Sequence, residues 1–330
     1  MPATPIGSSA AAPDLHRRRS SSALAIASHL ALWPGLYIVG AVACLAQISG
    51  ASFGFSPRAW LAACGFAFTT AAAVYLLDRV KLRDAWLKPA DALAHPRRYA
   101  FIAAHTRALR IVIAVLLIVA ACFGAWLFKW AAILPLVAGA GVLLYAGRPR
   151  AVRPRPKDIL ILKNVYVALG ITGFALLIVI FAAYPDADFT KLRRSLSLRW
   201  SPLSIGCAYL FLRVLADSIL CDLDDELADR RYGTDTLPNQ LGRDRAWTIA
   251  LAIYGAGAIA LAFAAVPFPL SSPRLAWAVL SVVSFLTLRI AAPARIRDWV
   301  DARLPFEAAM IGAAFAILAS LPRITTVTGP

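Results

Sequence analysis

The sequence predicts an all-α fold, a polytopic bundle of about nine membrane-spanning helices with its N-terminus on the cytoplasmic side. Three observations carry that expectation. Of 330 residues, 60% are hydrophobic and 16% charged, with a mean hydropathy of +0.68. A soluble domain is about half apolar and about a quarter charged, so the polar residues here are too few to cover several water-exposed cores. That excludes a soluble enzyme and a disordered chain. Second, apolar runs recur along the chain, and at ~20 residues per span nine of them leave loops of ordinary length. Third, the basic residues gather in alternate loops.

Residues 1–28, rich in Ala, Ser, Pro and Arg, read as a flexible basic tail. His16-Arg17-Arg18-Arg19-Ser20 has the look of a twin-arginine export signal. The many apolar runs that follow favour a basic cap holding the first helix end in the cytoplasm. A single transmembrane domain is expected over 29–322, and a short tail over 323–330. Its spans are 30–49, 59–78, 108–128, 130–146, 160–184, 200–220, 246–266, 275–292 and 304–321. The fourth is short and follows the third directly, so those two form a tight hairpin.

The net charge is +16, from 34 basic and 18 acidic residues. In a soluble protein that surplus would point to nucleic acid. In a membrane protein it marks cytoplasmic loops, and no nucleic-acid partner is expected. With the N-terminus inside, 23 basic residues lie on the cytoplasmic side, among them Arg303, and 8 on the other, among them Arg274. Arg110, Lys163 and Arg213 fall within helix ends. The loop 185–199 breaks the rule with Lys191, Arg193, Arg194 and Arg199, and is expected to lie flat on the lipid surface. The protein is therefore read as a multi-pass integral protein of the plasma (inner) membrane. Its five cysteines form no Cys-x-x-Cys pair, and its four histidines show no metal-ligand spacing.

The rarer charge is more informative. Seven of 18 acids fall within 217–235: Asp217, Asp222, Asp224, Asp225, Glu226, Asp229 and Asp235. Asp78, Asp84 and Asp91 follow the second span. Both groups emerge on the expected cytoplasmic face, set among basic residues, which suggests divalent cations and a phosphorylated ligand. At 100° per residue, Asp222, Asp225 and Asp229 share a sector of about 60° on one helix. Like charges so close repel, unless a cation sits between them or they reach water. Mg²⁺ takes one or two carboxylates, waters and phosphate oxygens, and this face offers that set; a solvated acidic helix end is the plainer alternative. Arg213 and Asp217, four residues apart, are expected to pair with each other, since a charge inside a span must be neutralised. A departing diphosphate needs positive charge besides a metal. Lys163, preceded by four apolar residues, is expected to face a cavity; Lys157 lies just before it. Tyr75 has a ring face suited to a cation.

The stretch Asp222–Gly242, Asp-x-x-Asp-x-x-x-Asp followed by Arg230, Gly233 and a Thr-Leu-Pro turn at 236–238, resembles the second aspartate-rich motif of the UbiA superfamily of intramembrane prenyltransferases. The span count and the acidic motifs after spans two and six are similar to that family over roughly 30–321. The first motif departs. The family pattern Asn-Asp-x-x-Asp meets Val74, Tyr75, Asp78 and Arg79 here, so one amide and one carboxylate are missing.

The resemblance implies Mg²⁺-dependent transfer of an isoprenyl group from a prenyl diphosphate to an acceptor within the bilayer. Asp78, Asp222, Asp225 and Asp229 would be the catalytic metal ligands. Arg79, Lys157, Lys163 and Arg230 would contact the diphosphate, and Tyr75, Asp84 and Asp217 would be accessory. A membrane terpene cyclase, which ionises the same substrate without an acceptor, and a decayed prenyl-lipid-binding protein are the alternatives.

Overall fold

The computed structural model describes residues 23–51, 55–82, 89–146, 159–184, 189–232, 234–265, 272–291 and 296–320. They form helices, and no strand occurs among the described residues. Every expected apolar run coincides with one: α2 (Leu32–Ile48), α3 (Pro57–Val80), α5 (Pro96–Leu127), α6 (Leu134–Ala146), α7 (Leu162–Ala183), α8 (Phe189–Tyr232), α10 (Arg243–Phe263), α11 (Pro273–Ala291) and α12 (Ile296–Ser320). Short helices α1 (Ala23–His29), α4 (Pro89–Ala94) and α9 (Leu237–Leu241) flank them. Among the described residues seven helices are long and apolar enough to cross a membrane, and two shorter apolar helices, Leu32–Ile48 and Ala131–Leu144, accompany them. The chain is a multi-pass integral membrane protein.

Several boundaries differ from expectation. Residues 23–28, assigned to the tail, are helical, and Arg79 donates to the Ser28 carbonyl at the end of α1. Helix α5 begins at Pro96, well before 108, with a break in helical geometry at His105. Its first turns are polar and escaped a search for apolar runs. The loop expected at 185–199 is helical from Phe189 and runs into α8, past Pro202. The third and fourth runs do form a tight hairpin, closed by a 3₁₀ turn at Ala131–Ile133.

Local chemistry explains the helix ends. Ser56 Oγ accepts from the Ala59 N–H at 3.1 Å, and Pro57 opens α3 where no N–H is needed. At the end of the bundle away from the acidic row, Arg274 donates to the terminal carbonyls Ile48 O (3.1 Å) and Ala264 O (3.0 Å), tying α2 and α10 together.

Helix α2 packs against α3, α7, α8, α11 and α12. Its contact with α12 is a backbone contact. A Cβ at Gly40 would stand 2.6 Å from Pro305 N and 2.8 Å from Leu304 C, so only glycine admits α12 here. That seat fixes how α12 meets α8.

Between α8 and α12 lies a sealed group of charges. Arg213 Nη1 donates to Glu307 Oε2 at 2.5 Å, and Arg303 pairs with Asp217, which also accepts from Tyr37 Oη at 2.9 Å. Ser281 Oγ accepts from Arg213 at 2.9 Å. Arg213, Asp217 and Glu307 are 1–2% exposed and Arg303 is 8% exposed. Both guanidiniums lie over the Tyr254 ring, at 5.5 and 5.0 Å, an added cation–π contact. The expected Arg213–Asp217 pair is only a secondary approach of 3.9 Å. Each residue has a nearer partner on α12, and Arg303, counted with the loops, belongs to the interior.

Candidate functional site

The acidic row stands on the last turns of α8, which continues as helix beyond the expected end of the span. The repulsion within the row is met by cations from two other helices, Lys163 of α7 and Arg297 of α12, and by the imidazole of His95. Lys163, in the first turn of α7, brings Nζ to 2.6 Å from Asp222 Oδ1 and 3.9 Å from Asp229 Oδ2. Asn164 donates from Nδ2 to Asp222 Oδ2 at 3.1 Å and to Ser218 Oγ at 2.9 Å. The long packed contact between α7 and α8 puts both residues there. Asp222 Oδ1 and Asp229 Oδ2 are buried, and Lys163 is the cation that faces both.

Asp225 is held differently. His95 Nε2 lies 3.0 Å from Asp225 Oδ1, and Arg297 Nη2 donates to Asp225 Oδ2 at 2.6 Å and to Cys221 O at 3.3 Å. His95 precedes α5, and Arg297 opens α12. Asp224 sets Arg297 in place. Its carboxylate accepts the N–H groups of Ile296 (3.3 Å) and Arg297 (2.9 Å), a side-chain cap on the positive end of α12. Tyr75, half-buried, and Asp301 both lie within electrostatic range of Arg79 and Arg297.

The first-motif residues turn elsewhere. Asp78 pairs with Lys81, three residues on, and Lys81 O accepts from Arg110 Nε at 3.2 Å. Arg79 Nη1 donates to Ser28 O at 2.5 Å and His29 O at 3.4 Å, closing α1. Among the described residues no group of three or more His, Cys, Asp or Glu side chains is close enough to hold a metal ion. Asp78 and the α8 row therefore do not share one ligand group. Helix α2 packs against both α3 and α8, and the chain's own cations occupy the carboxylates. Asp217 stands in the interior pair with Arg303. Arg230, 63% exposed, pairs with Glu226 at 3.1 Å. Lys157, Asp84 and Gly233 lie outside the described residues, as does the side chain of Asp91.

Three residues at the row were not singled out in the sequence: His95, Asn164 and Arg297. Asn164 carried a signal, an amide beside Lys163 at the start of an apolar run. So did His95, directly before a proline that opens a helix. Arg297 carried none, since its partner is 72 residues away in the chain.

With carboxylate oxygens that are hard donors on one helix face, the site suits a small divalent cation that keeps waters and phosphate oxygens as ligands. The convergent Lys, Arg and His suit an anion beside it.

No family model and no curated protein sequence matches this chain. Among solved structures it is similar to a UbiA homolog from Aeropyrum pernix K1 in its apo form, with a TM-score of 0.63 and 16% identity over 86% of this chain and 98% of that one. It is also similar to a UbiA homolog from Archaeoglobus fulgidus bound to DMAPP and Mg²⁺, with a TM-score of 0.58 and 13% identity over 89% of this chain and 99% of that one. At these identities the likeness is one of fold: the chain has the helical membrane fold of the UbiA homologues.

Proposed function

We propose that this protein is a Mg²⁺-dependent intramembrane prenyltransferase, which moves an isoprenyl group from a prenyl diphosphate to an acceptor. The observation that carries the reading is the carboxylate row of α8, faced by Lys163 at 2.6 Å, in a fold shared with a homolog that binds DMAPP and Mg²⁺. Asp222 and Asp229, whose buried oxygens both face Lys163, are the residues that would hold Mg²⁺ once that lysine turns to the diphosphate. When bound, Mg²⁺ supplies positive charge against the leaving diphosphate.

The chain's own groups do the rest. Lys163 contributes a cation to the diphosphate oxygens. Asn164 fixes the rotamer of Asp222, and His95 and Arg297 fix Asp225, so the row needs little reorganisation when substrate arrives. The apolar helices exclude water from the allylic cation. Asp78, engaged by Lys81 in this structure, would join only by leaving that partner. The site faces the cytoplasm of the inner membrane in this reading, as the distribution of basic residues suggests.

The test is diphosphate release from prenyl diphosphates of several chain lengths, with Mg²⁺, by the wild type and by Asp222→Ala and Asp225→Ala. Loss of release in both variants is expected; undiminished release sinks the assignment. Product analysis without any acceptor separates a cyclase, which makes hydrocarbon or alcohol from the diphosphate alone.

A further inference from the structure

At the row a cavity of about 280 Å³ is lined by His95, Asp224, Arg297 and Asp298 among others, and each of these four has a partner. Asp298 accepts from Ser28 Oγ at 3.2 Å, and the Ser28 carbonyl accepts from Arg79. Ser28 thus joins the end of α3 to the first turn of α12. Four residues inward from Arg79 stands Tyr75, and four inward from Arg297 stands Asp301. That is about 6 Å along each helix and about 40° around it, so both lie one turn deeper in the bundle than the row. Tyr75 packs against two groups of buried apolar side chains and is still only half-buried. Asp301 is half-buried as well. It differs from every other carboxylate of α8 and α12. Each of those meets a cation or a hydrogen-bond donor. Asp301 has neither an ion-pair nor a hydrogen-bond partner among the described residues, and the Tyr75 hydroxyl has none either. A carboxylate left without a partner in a membrane-spanning helix is costly and marks a functional position. The two cations within electrostatic range of it are committed elsewhere. Arg297 is held by Asp225, and Arg79 by the carbonyls of Ser28 and His29.

We propose that Asp301 is a further catalytic residue: with the ring face of Tyr75 it holds the allylic cation that forms when the diphosphate departs. In that step the C1–O bond of the donor breaks, its electron pair leaves with the diphosphate, and the prenyl fragment keeps the positive charge; no proton moves. The chain carries charge in the matching order. Lys163, Arg297 and Arg79 stand at the level of the leaving group. The carboxylate of Asp301 stands one turn deeper, where the fragment enters the apolar bundle. Fixed charges set against the charge that develops are worth most where water is excluded. The tyrosine ring adds cation–π attraction through its face. Position 75 lacks the carboxylate of the first motif, and α12 supplies one at the same depth. The catalytic role rests on the prenyl-transfer reading; a cation site at Asp301 does not.

The experiment is binding to the purified full-length protein in detergent. The geranyl, farnesyl and geranylgeranyl thiodiphosphates, with Mg²⁺, mimic the intact donor. The dimethylamines of the same chains, protonated at neutral pH and offered without diphosphate, mimic the cation. The wild type is expected to bind at least one amine and the thiodiphosphate of the same chain length. Asp301→Asn should weaken the amine by at least about tenfold and leave the thiodiphosphate within about twofold of the wild type. Asp301→Glu should retain most of the amine binding. Tyr75→Leu should weaken the amine by about two- to fivefold. Tyr75→Phe should match the wild type, because the ring face and not the hydroxyl is used. Equal amine binding by wild type and Asp301→Asn overturns the proposal, and so does a wild type that binds no amine. Parallel loss of amine and thiodiphosphate in Asp301→Asn overturns it too, since a structural role moves both. If Asp222→Ala leaves thiodiphosphate binding intact, the donor reading fails, while selective loss of the amine in Asp301→Asn keeps the cation site.

Discussion

Helix α8 carries two groups of charge, and they are built on opposite plans. In the interior group, Arg213 and Asp217 meet Glu307 and Arg303. Two cations balance two anions, aromatic rings cover them, and water is shut out. At the end of the helix, Asp222, Asp225 and Asp229 face Lys163, Arg297 and the His95 imidazole. Three carboxylates meet two fixed cations there, and Asp225, Lys163 and Arg297 are about one-fifth exposed. A sealed, balanced network has no net charge left to neutralise, and breaking it strands a charge in low dielectric. An open, unbalanced one tolerates the loss of a member. The interior group therefore reads as structure and the outer row as function, although both stand on one helix.

The largest expected effect breaks the interior group. Glu307→Ala leaves Arg213 buried without its anion and should cost ~3–5 kcal/mol, read as a fall in the detergent unfolding midpoint. Replacing the pair together, Arg213→Met with Glu307→Leu, should recover most of that loss. An unchanged midpoint in the single variant would mean that the sealed network carries no structural load.

Next is the seat of α12. Gly40→Leu drives a side chain into the backbone at Pro305 and should cost about 1–3 kcal/mol or more. Because α12 supplies partners to both groups, this variant should also disturb the row. Diphosphate release that survives intact in a folded Gly40→Leu protein would uncouple the two.

Asp222→Asn sharpens the contrast from the other side. Stability should change by about 1–3 kcal/mol, less than in the interior group, since Asp222 is buried but the remaining Lys163 reaches water. Diphosphate release should fall by roughly a hundredfold. Mg²⁺ with a prenyl diphosphate should raise the unfolding midpoint of the wild type and not that of the variant. Equal shifts in both proteins would move the metal away from Asp222.

The smallest effect belongs to Arg230→Ala. Its pair with Glu226 is exposed and should contribute no more than ~0.5 kcal/mol. Release should be unchanged, against the sequence expectation that Arg230 touches the diphosphate. A pronounced loss of release would place Arg230 in the site.

How far the sequence could be read differs between these groups. The 60° sector of Asp222, Asp225 and Asp229 needs only the helical period, and Lys163 stood out because four apolar residues precede it. Arg303 and Glu307 did not stand out. Single charges near a span end look like loop charges, and what makes them interior is the crossing of α12 over Gly40. The same holds for Arg79, which reads as a phosphate ligand beside Asp78 but is engaged by the end of α1.

By itself the sequence determined the all-helical membrane bundle, the order of its spans and the acidic face of α8. Hydropathy and the 3.6-residue period are local properties, and a few turns of chain suffice to express them. Tertiary structure alone decided which cation meets which carboxylate, which charges are sealed in, and which cavity opens beside the row. Those pairings join residues 58 to 130 positions apart. At such separations partners are chosen by how helices pack, through contacts such as Gly40 against Pro305, and no local pattern records them.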